Sequence, residues 1–331
     1  VIGRLLRDSV WPVLTITDLS TSPWPGERCV ITIGAYDGVH LGHRAVIDQV
    51  ISLAEERGAK SAVVTFDRHP ASVVRPESAP KLLTGPEQKM TLLASTGIDA
   101  VVVVHFDVDQ ASEAPESFVR RVLTDCLGTT AIVVGEDFHF GRNREGNVDL
   151  LRKIGDEADF DVVPIDLVPR QDGVDEPVSS TAIRRALAGG DITRANEMLG
   201  HPYEVRGVVV EGDQRGRLLG FPTANVEVPD NLCLPADGVY AGWYERPDGT
   251  IHAAALNLGR RPTFYEHANS SLLEAHLLDF DGDLYGEGAA IRFTHFLRSE
   301  RKFDGIDALI AQLRTDVEHA RTLTIDWTAT H

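Results

Sequence analysis

Cysteine is scarce in this chain: three residues in 331, at Cys29, Cys126 and Cys233, with no CxxC pair among them. That spacing argues against a cysteine zinc site and a disulfide framework, and favours a reducing compartment. Long apolar runs are missing too. None reaches the roughly 18 residues that a membrane-spanning helix needs. The N-terminal VIGRLLRDSVWPVLTI also lacks an apolar core followed by a small-residue cleavage site. A cytoplasmic protein without membrane contact is the expectation. Positive charge is the third deficit, with 32 Lys and Arg against 50 Asp and Glu and a formal charge of −18. A nucleic-acid binder carries a basic stripe; this chain shows none, so no nucleic-acid partner is expected. A polyanionic substrate must then be met by local donors or a metal ion.

The length implies two domains. In the first half, β-branched runs alternate with helical stretches. The strands expected are CVITIG (29–34), SAVVTF (61–66), DAVVVV (99–104), AIVVG (131–135) and DVVPI (161–165). Helical patterns fall at 44–58, 86–97 and 117–128, each stopping at a glycine as C-caps often do. Apolar strands alternating with helices predict a parallel sheet covered on both faces. Ligands of such sheets bind at the carboxyl ends of strands, near the switch in strand order. After residue 186 the texture changes. RRALAGGDITRANEMLG (184–200) reads as two short helices broken by Gly189 and Gly190, and hairpin-like strands follow, with turns such as ERPDGT and DFDGD. A β-barrel closed by a final helix over 304–323 is expected. The domains are therefore drawn at 1–186, a helical linker at 187–200, and 201–331.

The stretch TIGAYDGVHLGH (32–43) follows the first of these strands and opens a helix. Gly34 and Gly38 permit tight turns, and Gly42 permits close approach of the backbone to a ligand. The helix N-terminus offers unpaired N–H groups and partial positive charge, to which His40 and His43 add imidazole donors. Such a cluster suits nucleotide phosphates. Its spacing is also compatible with a metal, although the obvious further cysteine ligands are missing.

GAYDGVHLGH resembles the G-[FY]-D-G-V-H-x-G-H signature of the nucleotidyltransferase module of bacterial bifunctional riboflavin kinase/FAD synthetases. VTFDRHPASVV (64–74), LLTGPEQKMTLLASTGID (82–99), VVGEDFHFGRNREGN (133–147) and VSSTAIRRAL (178–187) follow in the family's order. The resemblance implies a Rossmann-like nucleotidyltransferase domain that transfers AMP from ATP to FMN, yielding FAD and pyrophosphate. It assigns Gly34, Asp37, Gly38, His40, Gly42 and His43 to the nucleotide, with the two histidines stabilising the transition state. Ser179, Ser180, Thr181 and Arg184 match the SSTxIR motif that closes over the triphosphate, with Arg184 among the catalytic groups. Asp137 and Phe138 are assigned to the flavin, Asp137 standing where the family often has asparagine. Arg68 replaces a proline of TFDPHP and Tyr36 replaces the commoner phenylalanine. His69 reads equally as a nucleotide contact and as a packed or capping residue.

In the second half, GRLLGFPTANV (216–226) places Thr223 and Asn225 on one side of an extended chain, so both oxygens can reach one magnesium ion. In SLLEAHLLDF (271–280) alternation sets Glu274 opposite Leu273 and Ala275. A carboxylate on the lumen side of a barrel strand is then available to take a hydroxyl proton. PTAN and LEAHLLDF resemble the riboflavin kinase module of the same family, as do GVYAGW (238–243), NLGRRPTF (257–264) and RSERKFDGIDALIAQL (298–313). The resemblance implies a kinase barrel with a C-terminal helix. Gly220, Pro222, Thr223 and Asn225 would hold ATP, the last two through Mg2+. Glu274 would be the base for the ribityl 5′-hydroxyl, and Asn257, Glu274 and Arg298 would meet the flavin, beside a mobile flap and helix formed by 298–313.

The expected function is thus riboflavin to FMN and then FMN to FAD, with ATP as co-substrate in both steps and a monomer or weak homo-oligomer as the assembly. Two other readings stay in view: a single-activity adenylyltransferase with an inactive barrel, and a flavin-binding regulator without turnover.

Overall fold

A computed structural model describes residues 13–212, 215–260 and 271–324. By contacts the chain divides into two compact units, Val1–Ser179 and Ser180–His331, against the expected boundary at 186.

The first unit is a six-stranded parallel sheet of β1 (Leu14–Ile16), β2 (Cys29–Ile33), β3 (Lys60–Phe66), β4 (Ala100–Val104), β5 (Thr129–Gly135) and β8 (Asp161–Ile165). Their spatial order is β1-β4-β3-β2-β5-β8. Between β5 and β8, β6 (His139–Phe140) and β7 (Gly146–Asn147) form a small hairpin. Every residue of β2 is buried, as a central strand with helices on both faces requires. Alternate residues feed two cores. Ile31, Ala62, Val102 and Ile132 pack with Phe118, Val122 and Leu151. Val30, Val63, Val101 and Val133 pack with Ile47, Val50 and Leu93. From β2 the chain runs outward through β3 and β4, then returns to β5 on the other side of β2. The strand order therefore switches beside β2, and the turn after β2 lies at the switch.

The helix Leu41–Arg57 leaves that turn and ends at Gly58 in the left-handed region (φ 58°). The third expected helix stops at Gly128 (φ 56°), directly after its cap Leu127, whereas the second departs from the glycine-stop expectation. Pro86–Ala94 is capped by Ser95, and Gly97, at φ 82°, turns the chain two residues later. The third begins as one α turn at Pro115–Phe118 and widens over Val119–Cys126, where Leu127 N–H reaches back five residues to Val122 O.

The second unit opens with the helices Ser180–Ala188 and Ile192–Leu199, joined at Gly189 and Gly190. They are tied to the barrel, with Ala236 N–H donating to Leu187 O at 2.9 Å and the Asn196 amide to Phe293 O at 2.9 Å. The barrel is closed and antiparallel. Its strands are β9 (Tyr203–Val210), β10 (Ala224–Glu227), β11 (Gly238–Glu245), β12 (Ile251–Arg260), β13 (Ser271–Leu277) and β14 (Gly288–Arg298), in the order β10-β13-β12-β11-β14-β9. Its lumen is filled by side chains including Val205, Val226, Tyr240, Leu256, Leu273, Ala275 and Phe293. Small closed barrels are filled in this way. The helix Ile306–Thr324 packs outside, against β11 and β12. The expected lumen position of Glu274 is corrected here. Leu273, Ala275 and Leu277 point inward, and Glu274 is half-buried on the outer face.

Candidate active sites

The first site lies at the carboxyl end of β2. Between β2 and the following helix, Tyr36 (φ 52°), Gly38 (φ 88°) and Val39 (φ 40°) all take positive φ. Strain of this kind persists only where the surroundings over-determine it, and Asp37 supplies much of that. Its carboxylate, 5% exposed, accepts from Leu83 N–H (2.9 and 3.0 Å), Thr84 N–H (3.1 Å) and the Thr84 hydroxyl (3.3 Å). The same hydroxyl accepts from Gly38 N–H at 3.2 Å. Tyr36 folds back onto Gly34, where a Cβ would meet its ring at 3.1 Å, and its hydroxyl bonds Thr32 at 2.7 Å.

His40 is the N-cap of the helix, and its Nδ1 accepts from His43 N–H at 3.3 Å. The two imidazoles stack with centroids 3.6 Å apart, and Tyr36 lies 4.8 Å from His43. Burial, and then the neighbouring His40, hold His43 well below the ordinary histidine value, so the ring is neutral at pH 7. Its Nδ1 is shielded and has no partner among the described residues. At Gly42 a Cβ would come within 3.2 Å of both the His40 ring and Val178 O. The backbone leading into Ser179 therefore runs against this turn. Gly34, Asp37, Gly38, His40, Gly42 and His43 are thus gathered in one place.

Beside the turn, a cleft is lined by Ala35, Asp67, Arg68, His69, Thr84 and Lys89. Lys89 was not singled out from sequence. Its ammonium donates to Phe66 O at 2.8 Å and lies 3.5 Å from Ala35 O, at the ends of two strands; burial lowers its pKa. His69 caps the one-turn helix Pro70–Val74, with Nδ1 accepting from Ala71 N–H at 3.1 Å. Asp137 is exposed in the turn after β5, with its side chain over Gly135. Phe138 stacks on Phe140 at 5.5 Å. Ser180, Thr181 and Arg184 lie on the first helix of the second unit.

The second site is a row across barrel strands. Asn225 pairs with Glu274, and Glu274 with Asn257, which sets all three side chains on the outer face. The Asn257 amide donates to Glu274 Oε2 at 3.1 Å. One step along, the His276 ring bonds Pro222 O at 2.7 Å, extending the β10–β13 ladder past the proline. Gly220 (φ 83°) turns the chain into Phe221, whose N–H returns to Gly216 O at 2.9 Å. Two glycines border this segment: a Cβ on Gly212 would collide with the Asn225 side-chain amide, and one on Gly216 with Phe221 O. Arg298 turns its guanidinium onto Asp316 of the terminal helix (3.0, 3.1 and 2.7 Å). Glu300 follows it and lies over Gly259, where a Cβ would meet its Oε1 at 2.2 Å. Burial, and then Asp237, raise its pKa, with Glu274 adding to the rise and Arg298 opposing it. Alternation with Glu274 was the available signal for His276, whereas nothing periodic marks Glu300. The part of NLGRRPTF from Arg261 to Phe264 lies outside the described residues.

The parallel sheet with a histidine-capped helix start and the barrel with an outer-face carboxylate fit a two-module phosphate-transferring enzyme. The FAD synthetase family model matches residues 23–182, and the riboflavin kinase family model matches residues 199–324. A bifunctional riboflavin kinase/FMN adenylyltransferase of Listeria monocytogenes is 38% identical over 304 residues, covering 92% of this chain and 95% of the relative. The enzyme of the same description from Escherichia coli K12 is 38% identical over 301 residues, covering 90% and 93%. The chain belongs to the bifunctional riboflavin kinase/FMN adenylyltransferase family. Among solved structures, a Streptococcus pneumoniae protein described as a macrolide-efflux protein superposes with a TM-score of 0.83 at 28% identity, covering 93% of this chain and 98% of that one. Among the described residues here, no helix is long and apolar enough to cross a membrane.

Proposed function

We propose that the chain carries out both reactions of its family with a division of labour between its two units. The barrel phosphorylates riboflavin with ATP to FMN, and the α/β unit adenylylates FMN with a second ATP to FAD and pyrophosphate. The observation that carries the reading is the pairing, in one chain, of two stacked histidines at a helix N-terminus with a hydrogen-bonded carboxylate beside a PTAN strand.

In the barrel, Glu274 takes the proton of the ribityl 5′-hydroxyl as that oxygen attacks the γ-phosphorus of ATP, the bond to the bridging oxygen breaks and ADP leaves; Asn257 orients the carboxylate. Thr223 and Asn225 are hard, neutral oxygen donors. They fit Mg2+, which takes most of its remaining ligands from water and phosphate. When bound, that ion offsets phosphate charge. Gly220 and Pro222 shape the same ATP segment, and Arg298 and Asn257 border the flavin.

In the α/β unit, the FMN phosphate attacks the α-phosphorus of ATP and pyrophosphate leaves. His40, His43 and the helix N-terminus receive the growing charge on oxygen, a preorganised arrangement of the kind that dominates such reactions. Being neutral, His43 can donate a hydrogen bond without first competing for a solvent proton. Ser179, Ser180, Thr181 and Arg184 are assigned to the triphosphate, and Asp137 and Phe138 to the flavin. Asp37 acts one step back, by fixing the turn. Three free thiols favour a cytoplasmic setting. The acidic balance favours small-molecule partners over nucleic acid, with a monomer or weak homo-oligomer as the working form.

The test is a time course with riboflavin, ATP and magnesium, with flavins separated by chromatography. FMN rising first and FAD following is the expected result. FMN alone would leave the first site inactive, and bound flavin without conversion would make the protein a binding regulator.

A further inference from the structure

Between β8 and the helix at Ser180 the chain runs through 166–179 without a regular element. Connections of this length are usually disordered or functional, and this one is stapled. Pro169 and Pro177 face each other in an antiparallel bridge, and Val178 N–H closes onto Val168 O at 2.8 Å. At the tip, Arg170 holds both legs. Its Nε and Nη2 reach the two oxygens of Asp172 at 3.2 and 2.5 Å, and its Nη1 reaches Glu176 at 2.9 Å. Asp172 also accepts from Val174 N–H at 3.2 Å. The Arg170 and Asp172 side chains are only 9% and 7% exposed. The two-pronged grip on Asp172, with a third bond to Glu176, fixes the geometry of the tip.

What this staple fixes is the return leg. Val178 O lies so close to Gly42 that a Cβ there would stand 3.2 Å away, and Ser179 is the next residue. The staple therefore sets where the backbone crosses the histidine turn just before the serines assigned to the triphosphate. We propose that Arg170 is a positioning residue for adenylyl transfer: it touches no substrate and acts by holding Val178 and Ser179 against the Gly42 turn. The inference rests on the adenylyltransferase reading of that turn.

The test compares full-length wild type with Arg170→Met and Arg170→Lys, assaying FAD formation from FMN and riboflavin phosphorylation separately. Misplacing a substrate-positioning group by about 1 Å costs on the order of a hundredfold. We expect Arg170→Met to lower kcat for FAD formation at least tenfold, with KM for FMN and riboflavin phosphorylation unchanged. Arg170→Lys keeps the charge without the two-pronged grip, so it should recover part of the loss. It also serves as the test variant if Arg170→Met does not fold. A kcat within twofold of wild type for the folded variant overturns the inference, as does an equal loss in both reactions. Wild type that makes FMN but no FAD overturns the adenylyltransferase reading itself, and the inference with it.

Discussion

The two candidate centres are built on opposite plans. The first is contiguous: Gly34–His43 turns, caps and stacks upon itself, and distant residues such as Leu83 and Thr84 only brace it. The second is lateral: Asn225, Glu274 and Asn257 come from three strands and meet only through register. A contiguous site is held by local strain and a buried carboxylate. A lateral one is held by the barrel, and a one-residue slip of β13 would send Glu274 into the lumen.

The strongest way to break the comparison is to damage each centre alone. His43→Ala should cut FAD formation by roughly a hundredfold or more and leave riboflavin phosphorylation intact. Glu274→Ala should do the converse, within the roughly 10²–10⁴ range of a lost general base. Equal damage to both reactions in a folded variant would end the division of labour. A smaller effect is expected from Asn257→Leu. Losing one hydrogen bond to a charged group should lower kcat for FMN formation about tenfold, and an unchanged kcat would show that register alone orients Glu274. Gly212→Ala crowds the Asn225 amide, so the magnesium concentration giving half-maximal FMN formation should rise severalfold while FAD formation from supplied FMN is unaffected.

The smallest expected effect is on stability. Because folding depresses the pKa of His43 below 6.5, the unfolded chain binds a proton in that range that the folded chain refuses. Its contribution is complete above pH 6.5 and is lost as pH falls from there toward the depressed value. Melting midpoints measured between pH 7 and 5.5 should therefore fall more steeply for wild type than for His43→Gln, by a few degrees. Parallel curves would count against a buried neutral histidine.

Much of this was legible in the residues. CVITIG, AIVVG and DVVPI each contain or fall within an observed strand, and the Gly189–Gly190 break between two helices is where it was expected. LTI of β1 was missed because three residues cannot display a period. Alternation correctly opposed Glu274 to Leu273 and Ala275. The error lay in giving the lumen to the carboxylate, when a closed six-stranded barrel must fill its interior with apolar side chains. The partnership of Asn257 with Glu274, 17 residues apart, depends on a register that composition does not encode. Nothing in the sequence marks Arg170, and only the fold shows it holding both legs of a hairpin.

The cap at His40 also decides a tautomer. A ring nitrogen that accepts from a backbone N–H carries no proton, so the neutral tautomer of His40 that fits this cap has its proton on Nε2. His69 spends its Nδ1 in the same way, on Ala71 N–H. Two imidazoles at the carboxyl edge of one sheet are thereby held in the tautomer that donates through Nε2, and a proton on either Nδ1 would break that cap hydrogen bond.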